Sequence, residues 1–144
     1  TLDCFSLVML DLDRLKYVND HFGHLSGDEY ICTVVAIINE HTSDTDVLCR
    51  IGGDEFVIIF QNHPENFVLT KMKEIHSSVL QIKRNYPLSF SYGITHVSGG
   101  QYHSTEEILN LSDSRMYEFK NNHRLSNDIP VSLQLDEDET PTGK

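Results

Sequence analysis

Arg50-Ile51-Gly52-Gly53-Asp54-Glu55-Phe56-Val57-Ile58-Ile59-Phe60 is the stretch on which the reading of this chain turns. A glycine pair follows an apolar-rich segment, two adjacent carboxylates follow the pair, and β-branched and aromatic residues close the run. This punctuation predicts a hairpin over 47–60, two strands joined by a tight glycine turn. Glycines at both turn positions permit positive φ and leave no Cβ to block an approaching group. With Asp54 and Glu55 at the turn's exit, that group would be an anion or a metal-bound phosphate. An ordinary solvated hairpin carries the same Gly-Gly-Asp signature, so the rest of the chain has to decide between them.

Upstream, Phe5-Ser6-Leu7-Val8-Met9-Leu10-Asp11-Leu12-Asp13 has the length and apolar content of a strand buried on both faces. Asp11 and Asp13 are two apart, so an extended chain points both to one side. Leu15, Val18, Asn19 and Phe22 predict a short helix over 14–22, which Gly23-His24-Leu25-Ser26-Gly27 interrupts. A second helix is expected over 28–41, capped by Asp28, with Tyr30/Ile31, Val34/Val35 and Ile38 as its apolar stripe.

Downstream, Pro64 suits a first helical turn, and apolar residues at 68, 69, 72, 75, 79, 80 and 82 predict a helix over 67–86 that Pro87 stops. Residues 88–95 alternate like a strand, with Gly93 marking a bulge or a close backbone contact. Ser104 and Glu107 form a capping box for a helix to about residue 122. The order β-α-α-β-β-α-β-α predicts an α+β fold, an antiparallel-dominated central sheet with helices packed on it. Residues 125–144 read as a flexible acidic tail, within which 130–135 could add a short strand.

The 144 residues suit one domain. No apolar run approaches the ~20 residues of a membrane span, and no signal-peptide pattern opens the chain. The start at Thr1, without Met, reads as that of a fragment of a longer protein. The net charge is −11, to which the tail contributes Asp128, Asp136, Glu137, Asp138 and Glu139 against Lys144 alone. No Lys/Arg stripe exists to neutralise a nucleic-acid backbone, which argues against such a partner. A small phosphate ligand carried with a divalent cation remains compatible. Cys4, Cys32 and Cys49 show no paired metal-ligand spacing and read as free thiols in a reducing compartment.

If the first strand lies beside the hairpin, Asp11 and Asp13 converge with Asp54 and Glu55. Carboxylates so close repel, and one takes up a proton unless a cation sits between them. Oxygen-only ligands select Mg²⁺ or Mn²⁺ before zinc. Two such ions about 3.5–4 Å apart would clamp the attacking and leaving oxygens of a phosphoryl transfer. The alternative is that Asp11 and Asp13 merely cap the following helix.

The motifs carry a resemblance. Asp11-Leu12-Asp13-Arg14-Leu15-Lys16-Tyr17-Val18-Asn19-Asp20-His21-Phe22-Gly23-His24-Leu25-Ser26-Gly27-Asp28 resembles the D-x-D-x-F-K-x-x-N-D-x-x-G-H-x-x-G-D block of GGDEF-domain diguanylate cyclases. Gly52-Gly53-Asp54-Glu55-Phe56 matches the motif that names that family. Ser91-Tyr92-Gly93-Ile94 and Ser112-Asp113-Ser114-Arg115-Met116-Tyr117-Glu118-Phe119-Lys120 are similar to its later blocks. The likeness implies a GGDEF domain over 1–124, lacking the family's first helix, with a ferredoxin-like, palm-like nucleotidyl cyclase core.

It also implies an activity: two GTP molecules condense to cyclic di-GMP with release of two pyrophosphates, across a homodimer whose sites face each other. Asp11, Asp54 and the Leu12 carbonyl would hold two Mg²⁺ or Mn²⁺ ions per site. Asp54, Glu55 and Lys16 are the implied catalytic groups. Asn19 and Asp28 would read the guanine edge, with His24 nearby, and Gly52 and Gly53 would admit the phosphates. Lys120 and Arg124, four apart, would take the β- and γ-phosphates. An upstream sensory domain is implied, and a cytoplasmic place even if the parent protein is membrane-anchored, with neither nucleic acid nor membrane touched by this part. The runner-up is a non-catalytic GGDEF-type module that binds GTP or a partner protein.

The chain departs from the family pattern in places. Leu15 stands for the usual Phe and His123 for a Gly before Arg124, and the segment between Phe60 and Phe90 is shorter than usual. Many members carry an inhibitory R-x-x-D product site before the Gly-Gly turn. The corresponding Ser43-Asp44-Thr45-Asp46 keeps the carboxylate and lacks the arginine, so bidentate recognition through it is lost.

Overall fold

The structure is a computed structural model that describes residues 4–101 and 103–125, the side chains of Arg124 and Leu125 excepted. The expected tail, with its possible strand at 130–135, lies outside the described residues. Eight elements run β1 (Cys4–Leu12), α1 (Leu15–Phe22), α2 (His24–Glu40), β2 (Val47–Arg50), β3 (Glu55–Gln61), α3 (Glu65–Leu80), β4 (Phe90–Ser98) and α4 (Thr105–Leu125). The strands form one sheet in the order β2-β3-β1-β4, with every neighbouring pair antiparallel.

β1 and β3 are apolar on both faces because both faces are covered. Val8, Leu10 and Leu12 of β1, with Phe56, Ile58 and Phe60 of β3, join Val18, Tyr30, Val34, Ile38, Val68, Met72 and Ile75 in one core. Leu7, Met9 and Val57 face the other way, where Ile108 and Met116 of α4 cover them. α1, α2 and α3 therefore share one side of the sheet, and α4 takes the other. The α+β expectation holds.

Some boundaries move. α2 begins at His24, not at Asp28, because Gly23 makes the whole reversal alone at φ 94. Its N–H donates to Asn19 O at 3.1 Å, ending α1, while its carbonyl accepts from Ser26 N and Gly27 N at 3.1 and 3.2 Å, starting α2. Asp28 therefore lies in the second turn, exposed, and caps nothing. Position 27, inside α2, is glycine for a packing reason: a Cβ there would overlap Asn19 Oδ1.

α3 buries Val68, Met72, Ile75 and Val79 along one stripe and ends at Leu80, well before Pro87. Ile82 packs against the core from the irregular segment that follows, which carried the apparent helical spacing past the helix itself, and Tyr86 and Leu88 of the same segment are buried without being helical. Gly93 pairs with Met9 in unbroken register, so it is no bulge. It is a close contact: a Cβ there would overlap Ser112 O and Met116 N of α4. The capping box forms, with Ser104 N donating to Glu107 Oε1 and Glu107 N to Ser104 Oγ, both at 3.1 Å.

Candidate active site

The two carboxylate-bearing segments meet at the end of β1. Asp11 lies directly opposite Glu55 in the β1–β3 ladder, which places the pair on one face of the sheet. Leu12 N donates to Asp54 O at 2.9 Å. The connection from β2 to β3 is closed by Ile51 N and Gly52 N on Glu55 O at 2.9 and 3.3 Å. Arg50 clasps it from outside, donating from Nε to Gly52 O at 3.1 Å and from Nη2 to Gly53 O at 2.7 Å. Among the described residues, positive φ at glycine occurs only at Gly23 and Gly100, so the Gly-Gly turn does not use the left-handed region. What the glycines supply is open space: a Cβ at Gly53 would meet nothing within 4 Å.

Asp11 is 9% exposed. Lys120 Nζ on α4 stands 3.1 Å from its Oδ2, and its Oδ1 is buried without a hydrogen-bond partner. Burial pushes the Asp11 carboxyl up to about 7; Lys120 works against that, and the neighbouring Asp54 carboxylate adds to it. Two carboxylates in contact, one with an unpartnered buried oxygen, are reconciled by a shared proton or by a cation. The donor set is all oxygen, so it fits Mg²⁺ or Mn²⁺. Among the described residues no three His, Cys, Asp or Glu side chains gather as a closed cage. Two carboxylates and a strand-end carbonyl suit an ion that takes its remaining ligands from phosphate and water.

Asp13 does not join them. It lies just past the end of β1, where its N–H still donates to Ser89 O at 3.0 Å before Arg14 turns the chain in a left-handed conformation (φ 56, ψ 32), and its carboxylate is engaged from the β4 side. Its Oδ2 and Oδ1 accept from Ser89 Oγ at 2.6 Å and Ser91 Oγ at 2.8 Å. The Tyr30 hydroxyl sits beneath, 2.7 Å from Asp13 O and 2.6 Å from Ser89 O. Asp13 and Tyr30 thus bind the ends of β1, β4 and α2 into one unit.

The other expected groups flank this rim. Lys16, in the first turn of α1, pairs with Asp20 at 3.0 Å across exposed surface, an interaction weak enough to exchange readily. Asn19 is half-buried against Gly27, the residue before Asp28, so α1 and α2 bring Asn19 and Asp28 together. His24 and Asp28 are both exposed and one helical turn apart on α2. Glu55 is half-buried, and Gly52 and Gly53 are exposed. Lys120 reaches Asp11 from α4; the Arg124 side chain is outside the described residues. Arg50, Ser89, Ser91, Tyr30 and Tyr86 were given no site role in the sequence reading. Two of them left a signal: Arg50 as a cation beside the glycine turn, and Ser91 as the first residue of a family block.

The chain matches the family described as "Diguanylate cyclase, GGDEF domain" over residues 2–126. It therefore belongs to the GGDEF domain family. Among its relatives, "Diguanylate cyclase DgcM" of Escherichia coli K12 is 31% identical over 122 residues, 83% of this chain and 29% of that protein. "Probable diguanylate cyclase DgcI" of the same organism is 37% identical over 82% of this chain and 26% of its own length. The chain thus spans less than a third of these relatives. The active GGEEF domain of a diguanylate cyclase from Vibrio cholerae superposes with a TM-score of 0.75 at 27% identity, covering 83% of this chain and 78% of that one. The GGDEF domain of DgcB from Caulobacter crescentus, in complex with c-di-GMP, gives 0.74 at 28%, covering 83% and 73%. The palm-like cyclase core expected from the motifs is the fold observed. Among the described residues no helix is long and apolar enough to cross a membrane.

Proposed function

We propose that this chain is the catalytic output domain of a diguanylate cyclase, condensing two GTP molecules to cyclic di-GMP and two pyrophosphates. The observation that carries the reading is Asp11, a buried carboxylate beside Asp54 with one oxygen on Lys120 and the other unpartnered. Asp11, Asp54 and the Leu12 carbonyl would hold Mg²⁺ or Mn²⁺, two ions per site. When bound, the ions would neutralise developing phosphate charge and make the attacking hydroxyl more acidic.

The remaining work belongs to the chain's own groups. Asn19 and Asp28 would hold the guanine edge, the carboxylate accepting from the ring N–H and the exocyclic amine. His24 would line that pocket. The bare backbone at Gly52 and Gly53 would let the phosphates approach. Lys120, Arg124 and Lys16 would balance phosphate charge, Lys120 by passing from Asp11 to the triphosphate. Asp54 would orient the 3′-hydroxyl and accept its proton, with Glu55 beside it in metal or ribose contact. In each of two such transfers the 3′-oxygen of one nucleotide bonds to the α-phosphorus of the other. The bond from that phosphorus to the bridging oxygen breaks, and pyrophosphate leaves. Positioning dominates such a reaction, and a homodimer supplies it by facing two GTP-loaded sites. An upstream sensory segment would set that facing, in the cytoplasm where GTP is at hand.

Incubation with GTP and Mg²⁺ followed by chromatography tests the reading. Cyclic di-GMP is expected, with specific activity falling on dilution as a two-protomer reaction requires. GTP that stays bound but unconverted at high protein concentration would contradict it and leave the non-catalytic module.

A further inference from the structure

Tyr86 lies in the irregular segment between α3 and β4, yet it is only 3% exposed. Its hydroxyl stands 3.1 Å from Ser26 O and 3.0 Å from Glu29 Oε1. Arg84, two residues earlier, places Nε 3.4 Å from Glu29 Oε2. The Tyr86 ring packs 5.5 Å from Phe22, the last residue of α1, and 6.0 Å from Tyr30 on α2. One side chain, distant in sequence, therefore grips both helices across the single-residue break at Gly23.

The attachment points are specific. Ser26 directly precedes Gly27, where Asn19 meets the backbone of α2. Glu29 directly follows Asp28. Both anchors of Tyr86 thus bracket the turn of α2 that carries Asp28 and, at Gly27, meets the Asn19 side chain of α1. Hydrogen-bond readout of a base edge works within a few tenths of an ångström and tens of degrees, so slack in that turn would be felt in selectivity.

We propose that Tyr86 is a positioning residue for guanine recognition, setting through Ser26 and Glu29 the placement of Asp28 and Asn19. The inference rests on the base-reading role given to those two residues above. Tyr86 acts through α2, and Arg84 steadies the Glu29 carboxylate that Tyr86 meets.

The test measures dissociation constants for GTP and for ITP, which lacks the exocyclic amine that Asp28 would accept from. The unsubstituted chain is compared with Tyr86→Phe and Glu29→Gln, each with a thermal melt. Tyr86→Phe keeps the ring packing and loses only the hydroxyl. It is expected to weaken GTP binding about threefold to tenfold, the worth of one buried hydrogen bond, and ITP binding by less. The GTP-over-ITP preference therefore narrows. Glu29→Gln keeps the shape and is expected to move the preference in the same direction, providing the readout should Tyr86→Phe fold poorly. Variants that melt lower but keep the full preference would make Tyr86 purely structural and overturn the inference alone. An unsubstituted chain that shows no preference for GTP would overturn the base-reading role itself, and this inference with it.

Discussion

Lys120 Nζ and Asp11 Oδ2 sit 3.1 Å apart, so a lysine on α4 is the counter-ion of the buried carboxylate near the end of β1. The two belong to opposite ends of the chain and meet because Gly93 and Ser112 let α4 lie close on β4. A buried pair of this kind contributes little net stability, since desolvation offsets most of the attraction. In the proposed reaction its value would be as a relay, the ammonium that shields Asp11 passing to a phosphate of the bound nucleotide.

Asp11 should therefore oppose stability when no cation is bound. Asp11→Asn removes the buried charge and the repulsion from Asp54 while keeping an acceptor for Lys120. It is expected to stabilise the chain by about 1–2 kcal/mol at pH 8 in chelator, a rise of a few degrees in Tm, and to abolish cyclic di-GMP formation. Lys120→Met should act in the opposite sense, by about 1–3 kcal/mol, because it strands the carboxylate. Thermal melts of both variants check this.

Two glycines separate packing from recognition. A methyl at Gly93 meets backbone of α4, which cannot step aside, and Gly93→Ala should cost on the order of 3 kcal/mol in denaturant unfolding. A methyl at Gly27 meets only the tip of Asn19. Gly27→Ala should cost less than about 1 kcal/mol, yet raise the KM for GTP by displacing that amide.

The Asp46 side chain is 3% exposed and already engaged. Its Oδ2 accepts from Ser43 N at 2.9 Å and Ser43 Oγ at 3.1 Å, and its Oδ1 from Gln61 N at 3.2 Å. Product inhibition through this loop is expected to be weak or absent, and Asp46→Ala should instead lower stability by about 1–3 kcal/mol. A titration with cyclic di-GMP decides; micromolar inhibition that Asp46→Ala relieves would contradict it.

Tyr30 gives an alkaline signature. Burial, and after it the Asp13 carboxylate, hold its phenol well above the ordinary 10.0. Because the folded value is the higher one, this group's contribution is complete below the unfolded pKa and is lost as pH rises above it. In an ultraviolet titration of the six tyrosines, Tyr30 should ionise only together with unfolding. Tyr30→Phe should remove that late step, at a cost of about 1–2 kcal/mol near neutral pH from its lost hydrogen bonds.

The strands and the glycine connection were legible because apolar runs and turn chemistry are local signals; the pairing of β1 with the hairpin, on which the meeting of Asp11 with Asp54 depends, entered the reading only as a condition. Asp13 was expected to converge with Asp54 and Glu55, but Ser89 and Ser91 hold its carboxylate, and that partnership is set by the β1–β4 register, which local spacing does not show. The start of α2 was missed because a single glycine made the reversal that a five-residue loop was expected to make. The end of α3 was overrun because Ile82 keeps the helical spacing and packs on the core without being helical, and only Pro87 offered a stop. Arg50's hold on the turn is local, two and three residues along, but it falls on backbone carbonyls, which no residue pattern marks. Tyr86's hold on α2 is a tertiary contact between distant segments, and no window of sequence contains it.

The most direct test is an anomalous-scattering crystal structure of this chain with Mn²⁺ and a non-hydrolysable GTP analogue. A manganese peak between the Asp11 and Asp54 carboxylates and the Leu12 carbonyl is predicted. A manganese-bound analogue seated elsewhere, with Asp11 still held by Lys120 alone, would contradict the account.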